Sequence, residues 1–208
     1  MAATDLLSLN EGAYALGLGT LDVAVTTARG TLLAQAISGV SNRLAGAVGT
    51  IIYGTITAEL HSGGGNVVYL RESPVAQIVQ VVEYDNTTAS TLTAETNTTK
   101  TSTNYLVNLN SGRIVRRDTN ADARYPVGSD NVLVTYVAGR YASTATVGPL
   151  FKEAAAIFLK NIWRTYESSA SLTNEFDVPI SSFPHFGIPN AVKELLADEW
   201  REGSGIGD

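Results

Sequence analysis

A chain of 208 residues can hold one substantial domain or two small ones, and with 44% hydrophobic and only 16% charged residues it is not a charge-driven disordered polymer. A formal charge of −6 argues against a protein whose affinity comes from gripping DNA phosphates. The absence of cysteine removes disulfide scaffolds, thiolate zinc sites and cysteine nucleophiles, and two histidines, His61 and His185, are too few for a histidine-rich metal centre.

The N-terminal stretch Met1–Leu9 lacks the basic start of a secretory signal, since Arg29 is the first basic residue. The most apolar run, Leu44–Tyr53, is about half the length of a bilayer span and is broken by glycines. Asn86-Thr87-Thr88 and Asn97-Thr98-Thr99 fit the glycosylation triplet but read here as turn and loop residues. The expectation is a soluble protein made and used without export.

Helical periodicity opens the chain. A short helix is expected over Asp5–Leu16. A longer one follows, with Asp22 as N-cap and Val25, Ala28, Leu32, Ala36, Val40, Leu44 and Ala47 at three- and four-residue steps. Gly30, Gly39 and Gly46 inside it would let another helix approach closely. From about Ile51 the period changes to two, with threonine, valine, tyrosine and isoleucine dominant. Strands are expected at Ile51–Leu60, Asn66–Arg71, Val75–Tyr84, Thr88–Ala94, Asn104–Asn108, Arg113–Arg117 and Asn131–Ala138. Between them lie the turn signals Ser62-Gly63-Gly64-Gly65, Asp85-Asn86, Asn110-Ser111-Gly112 and Pro126-Val127-Gly128. The polar tract Thr87–Thr103 reads as an exposed edge hairpin or a loop.

Helical spacing returns at Val147, with Leu150, Phe151, Ala154, Ile157, Phe158 and Ile162 on one stripe. Ala155, Leu159 and Tyr166 widen the stripe, with Trp163 at its boundary, to an apolar arc of roughly 200°. A helix so broad must be covered on two sides, and the sequence suggests a neighbouring subunit as the second cover. Ala155, Leu159, Trp163 and Tyr166 are the expected inter-subunit face. After it, Ser168–Pro189 combines three prolines with Phe176, Phe183, Phe186 and Ile188 and is expected to run extended over a surface. Asn190 is expected to cap a last helix with Val192, Leu195, Leu196 and Trp200 on one face.

Little of this points to chemistry. Gly17-Leu18-Gly19 lacks a third glycine and a preceding strand, and Gly63-Gly64-Gly65 lacks the Lys-Ser/Thr of a phosphate cradle. No ligand-like spacing surrounds His61 or His185, and no serine sits in a nucleophile elbow; Ser38 and Ser41 should bond locally in their helix. Glu72, Glu83, Asp85 and Glu95, a conceivable glycosidase set, read as solvated surface. Arg113, Arg116, Arg117, Arg124 and Arg140 would contact nucleic acid or pair with acidic groups across an assembly interface, and the net negative charge favours the second. The expectations are no catalytic residues, no cofactor, no metal and no enzymatic activity.

The fold expected is α+β: a helical bundle (a long N-terminal helix, a long helix near 147–167 and a short C-terminal helix) with an inserted antiparallel β-sandwich or barrel-like region. Residues 1–50 and 141–202 form a helical connector domain, 51–140 the inserted β-rich domain and 203–208 a flexible tail. The joint order of a helical start, the strand Pro74-Val75-Ala76-Gln77-Ile78-Val79-Gln80-Val81-Val82, then Val134-Thr135-Tyr136-Val137-Ala138-Gly139-Arg140-Tyr141 before a long helix with Trp163, resembles the head-to-tail adaptor (connector) family of tailed bacteriophages.

That resemblance implies a structural virion protein of the neck, present in the host cytoplasm during assembly. It would be a homo-oligomeric ring of about a dozen copies beneath the portal protein, joined below to a head-closure, stopper or tail protein. DNA would pass through its channel without sequence-specific binding, and no membrane would be involved. Carried over by position, Phe183, Phe186, Ile188, Val192, Leu195, Leu196 and Trp200 become portal-docking candidates, with capping of the chain's own core as their alternative role. The competing readings are a head-closure or tail-completion ring, and more distantly a carbohydrate-binding β-module. Against the last stands the placement of both tryptophans in expected helices.

Overall fold

The computed structural model describes residues 2–19, 27–171 and 187–200, with the side chains of 165–171 excepted. The fold is mixed α+β: helices first, then an eight-stranded, mostly antiparallel sheet, then helices again. The chain forms two compact units, one drawn from the residues up to Ile52 and from Tyr141 onward, the other being Tyr53–Arg140.

The helical unit begins with α1 (Leu9–Ala15), fixed by a capping box in which Ser8 Oγ accepts from Glu11 N–H at 3.2 Å and Glu11 Oε2 accepts from Ser8 N–H at 2.7 Å. Helix α2 is Ala28–Val48, about 32 Å long. Its N-cap is Thr27, whose hydroxyl accepts from Gly30 N–H at 2.9 Å, rather than the expected Asp22; Asp22 and Val25 lie outside the described residues. Gly49 closes it at φ 90°, a left-handed conformation suited to glycine. Ser41 bonds within its helix, as its position suggests: the hydroxyl donates to Ile37 O at 2.8 Å. It also accepts from Leu6 N–H at 2.9 Å, tying the N-terminal segment down.

After a 3₁₀ turn (Thr144–Thr146), α3 runs from Pro149 to Ser171, with proline where its missing N–H costs nothing. The last helix, α4 (Asn190–Leu195), is capped by Pro189 with Asn190 as its first residue, and a 3₁₀ turn over Ala197–Glu199 follows. Of the expected extended segment Ser168–Pro189, the first residues continue α3 to Ser171 instead, and 172–186 lie outside the described residues, as does the tail 203–208.

One core joins these helices. Leu6, Leu33, Ile37, Leu44, Phe158, Leu159 and Leu196 are all buried in it, and Ile51 and Ile52 join them. The first strand therefore starts at Gly54 and not at Ile51.

In the β unit the strands are β1 (Gly54–His61), β2 (Val67–Tyr69), β3 (Val75–Asp85), β4 (Thr88–Ala94), β5 (Asn104–Asn108), β6 (Arg113–Asp118), β7 (Ala121–Asp122) and β8 (Val132–Ala138). They pair in the order β1-β8-β3-β4-β5-β6-β2, with β7 on β6. Strand β8 alternates buried and half-buried residues along its length, and Val81, Ile114, Val132, Val134 and Tyr136 form the centre of the core. Asn110-Ser111-Gly112 does make a hairpin, with Asn108 opposite Arg113 and Gly112 at φ 64°. The threonine tract departs from expectation. Strand β4 is no edge; it pairs antiparallel with β3 and, through Thr93 and Ala94, parallel with β5.

Both sheet edges are blunted. Strand β2 has three residues, and β1 is bulged between Ile56 and Glu59, where Ala58 sits at φ 52°.

Candidate functional site

The residues singled out for assembly in the helical unit are built inward. Ala155 (1% exposed), Leu159 (0%) and Trp163 (5%) are buried within their own chain, and the Tyr166 side chain lies outside the described residues. The broad apolar arc of α3 does not wait for a neighbouring copy. Helix α2 packs against it, α1 and α4 cover further parts, and Gly12 on α1 comes so close to Ile37 and Leu159 that an added Cβ would meet Ile37 Cδ1 at 2.7 Å.

The portal-docking candidates follow the same logic. Val192 and Leu196 are fully buried, Ile188, Leu195 and Trp200 are half-buried against the same core, and Phe183 and Phe186 lie outside the described residues. Where they are described, these side chains roof the helical core. A short amphipathic helix has one apolar face, and here its own chain occupies it.

Part of what the helical unit turns outward is charged. Lys152 Nζ donates to Glu11 Oε1 at 2.5 Å, joining α3 to α1. Partial burial alone would raise the Glu11 carboxyl, but Lys152 and the Ser8 donors outweigh it and hold the group below its usual range. Lys160 and Arg164, exposed on α3 one turn apart, have no ion-pair partner among the described residues. They stand between two shallow depressions, one of ≈ 230 Å³ against Ala15, Leu16 and Trp163 and one of ≈ 240 Å³ against Ile157, Asn161 and Pro189. Nearby on α1, Tyr14 is 88% exposed.

In the β unit the acidic and basic residues find each other inside the chain. Glu83 is no solvated surface carboxylate: Arg116 Nε and Nη2 donate to its two oxygens at 2.8 Å each, with the side chains 10% and 8% exposed. Arg116 Nη1 donates to Ser102 O at 2.8 Å and Asn104 O at 3.3 Å, so one guanidinium binds β3, β5 and the preceding loop. Arg117 pairs with Glu95 at 3.1 Å and with Asp122. Arg113 and Arg124 remain exposed, and Arg140 is half-buried. The arginine run therefore does not make a single basic face, and Glu83 and Glu95 are committed to cations rather than free for acid–base work.

Sequence reasoning missed a second buried centre. Glu59, 8% exposed, accepts from Tyr136 Oη at 2.6 Å and from Arg71 N–H at 3.0 Å, and lies 2.8 Å from His61 Nε2. Burial lowers the His61 pKa and Arg71 reinforces it while Glu59 opposes it, a balance that favours the neutral ring. Burial, aided by the bond to Glu59, raises the Tyr136 phenol. The signal available was a carboxylate in mid-strand between apolar neighbours. Among the described residues, no three histidine, aspartate or glutamate side chains cluster to hold a metal, and no helix is long and apolar enough to cross a membrane.

At one end of the sheet Asn131 pins three segments. Its Oδ1 accepts from Gly63 N–H at 2.8 Å, and its Nδ2 donates to Pro126 O at 2.7 Å and Tyr84 O at 3.3 Å. An added Cβ at Gly63 would lie 1.9 Å from Pro126 O, which explains the glycine. The loop so held carries Val127 outward, 92% exposed.

No family model matches the sequence, and no curated protein does. Solved structures do match, over the whole chain. A chain of the neck of an empty GTA particle, computed with C6 symmetry, superposes with TM-score 0.54 at 16% identity, covering 100% of this chain and 96% of that one. A chain from the virion of a native gene transfer agent (GTA) particle gives 0.53 at 16% identity, covering 98% and 93%. The shared property is the fold. Both units and their order fall within the match, so the similarity to the neck chain extends to the inserted sheet as well as the helices.

Proposed function

We propose that this chain is a structural virion protein of a particle neck, acting as a head-to-tail adaptor. In this reading copies form a ring of about a dozen beneath the portal protein, extend the DNA channel and receive a stopper or tail protein below. The observation that carries it is the whole-chain likeness to a neck chain of a GTA particle, which includes the inserted β unit. The composition agrees with it. Copies at −6 each would give a ring of roughly −72, and an acidic lumen offers DNA few cations to displace its counterions, so the duplex slides. The internal pairing of Arg116 and Arg117 supports the same point, because those cations are spent on Glu83, Glu95 and Asp122.

The experiment is to mix the purified chain with the portal protein of its own particle and image the product by electron microscopy. A ring of this chain seated on the portal is expected. A ring that forms only below another neck protein, with no binding to portal alone, would replace adaptor by head-closure protein; absence from the neck altogether would refute both.

A further inference from the structure

Helix α3 carries Lys160 and Arg164 one turn apart, both exposed and both without an ion-pair partner among the described residues. Like charges four residues apart repel and weaken a helix. The C-terminal segment carries its counterpart, Glu194 on α4 and Asp198 in the following 3₁₀ turn, also exposed, also four apart and also without an ion-pair partner among the described residues. Both pairs belong to the same compact unit. Several other groups pair within the chain, as Arg116 with Glu83, Arg117 with Glu95 and Lys152 with Glu11 show. Among the described residues these four form two like-charged couples of opposite sign.

A ring closed by rotation joins two different faces of each copy, so each copy must carry both halves of the contact. We propose that a second copy of this chain occupies the Lys160–Arg164 surface, presenting Glu194 and Asp198 to it. The two depressions flanking the cations, ≈ 230 and ≈ 240 Å³, give the incoming carboxylate side chains a place to seat. This contact deepens the ring reading above and rests on it. It also moves the inter-subunit surface of α3 from Ala155, Leu159 and Trp163, which are buried, to the charged side of the same helix.

The test is a charge swap in the full-length chain. One variant carries Lys160→Glu with Arg164→Glu, a second Glu194→Lys with Asp198→Lys, and a third all four. Association is read by sedimentation at low salt and the highest soluble concentration, and by bis-maleimide cross-linking of Lys160→Cys with Asp198→Cys, which is selective because the chain has no native cysteine. The first two variants should each lose about tenfold or more in self-association, and an equal mixture of them should recover it. The third should associate alone, and added salt should weaken every recovered complex because the charges are exposed. Melting curves on each variant check that it folds.

Wild-type rings indifferent to all four reversals would overturn this contact while leaving the neck assignment intact. Monomers in every sample, the mixture included, would overturn it too. So would variants that self-associate normally but fail to bind another neck protein, since the charges would then serve a different partner. Absence of the chain from the particle neck would refute the neck assignment whatever the charges do.

Discussion

Arg116 offers the sharpest test of what holds the β unit together. Replacing it with methionine keeps much of the aliphatic stem but removes both 2.8 Å bonds to Glu83 and the donors to Ser102 O and Asn104 O. Glu83 is left as a carboxylate whose side chain is 8% exposed and has no counter-charge. Stranding one member of a buried pair costs about 3–5 kcal/mol. Glu83→Leu strands the cation instead and should cost a similar amount. The double variant Arg116→Met with Glu83→Leu buries no charge, and only the carbonyls of Ser102, Asn104 and Arg117 lose a donor. It should therefore be more stable than either single variant by about 2 kcal/mol rather than less stable by their sum. Urea unfolding followed by tyrosine fluorescence measures all three. Single variants within about 1 kcal/mol of wild type, or a double equal to the sum, would refute the claim that this pair is a desolvated clamp.

Four further outcomes follow from local geometry and titration. Ala58, at φ 52°, should gain about 0.5–1 kcal/mol on conversion to glycine, while Ala89→Gly in β4 loses a similar amount, both read by denaturant midpoint. Gly63→Ala should cost at least about 2 kcal/mol, because its Cβ would fall 1.9 Å from a backbone oxygen, whereas Gly39→Ala on α2, with nothing within 4 Å, should gain about 0.5–1 kcal/mol; melting curves separate the two. The lowered pKa of His61 means its neutral form is favoured by folding, so its contribution is present above pH 6.5 and is lost as pH falls through the folded value; His61→Gln should flatten stability across that window. Glu11 acts likewise further down, contributing above pH 4.5 and losing it below, and Glu11→Gln should flatten only that acid limb in a pH titration of unfolding.

Much of the architecture was legible because each unit obeys one period. Thr88–Ala94 and Asn104–Asn108 begin and end where alternation and turn residues put them, and Arg113–Asp118 runs one residue further than expected. Partnership was not legible. Local pattern says that β4 is a strand but not that it pairs parallel with β5, since that depends on a loop held by the Asn104 side chain, which accepts from Thr101 N–H and donates to Thr99 O. Nor does composition reveal that Glu83 and Glu59 are buried, because an isolated carboxylate on a strand looks the same whether water or an arginine faces it. The breadth of the α3 stripe was legible, but not that Ala155, Leu159 and Trp163 would be buried within their own chain. The short α1, with Ala13 buried and Gly12 allowing close approach, supplies a third helix that pattern alone had undervalued. Among the surface charges, Lys160 and Arg164 were visible as the polar arc of α3, but only the packing shows that they line two open depressions.

The helical core is assembled from two stretches of chain with 88 residues of sheet between them, since Leu33 and Ile37 must meet Phe158 and Leu196. On the ribosome α2 therefore emerges with its greasy side bare, and the sheet is complete before α3 arrives to cover it. A polypeptide cut short anywhere before α3 would leave that side uncovered. Only a chain that has reached α3 acquires a closed bundle.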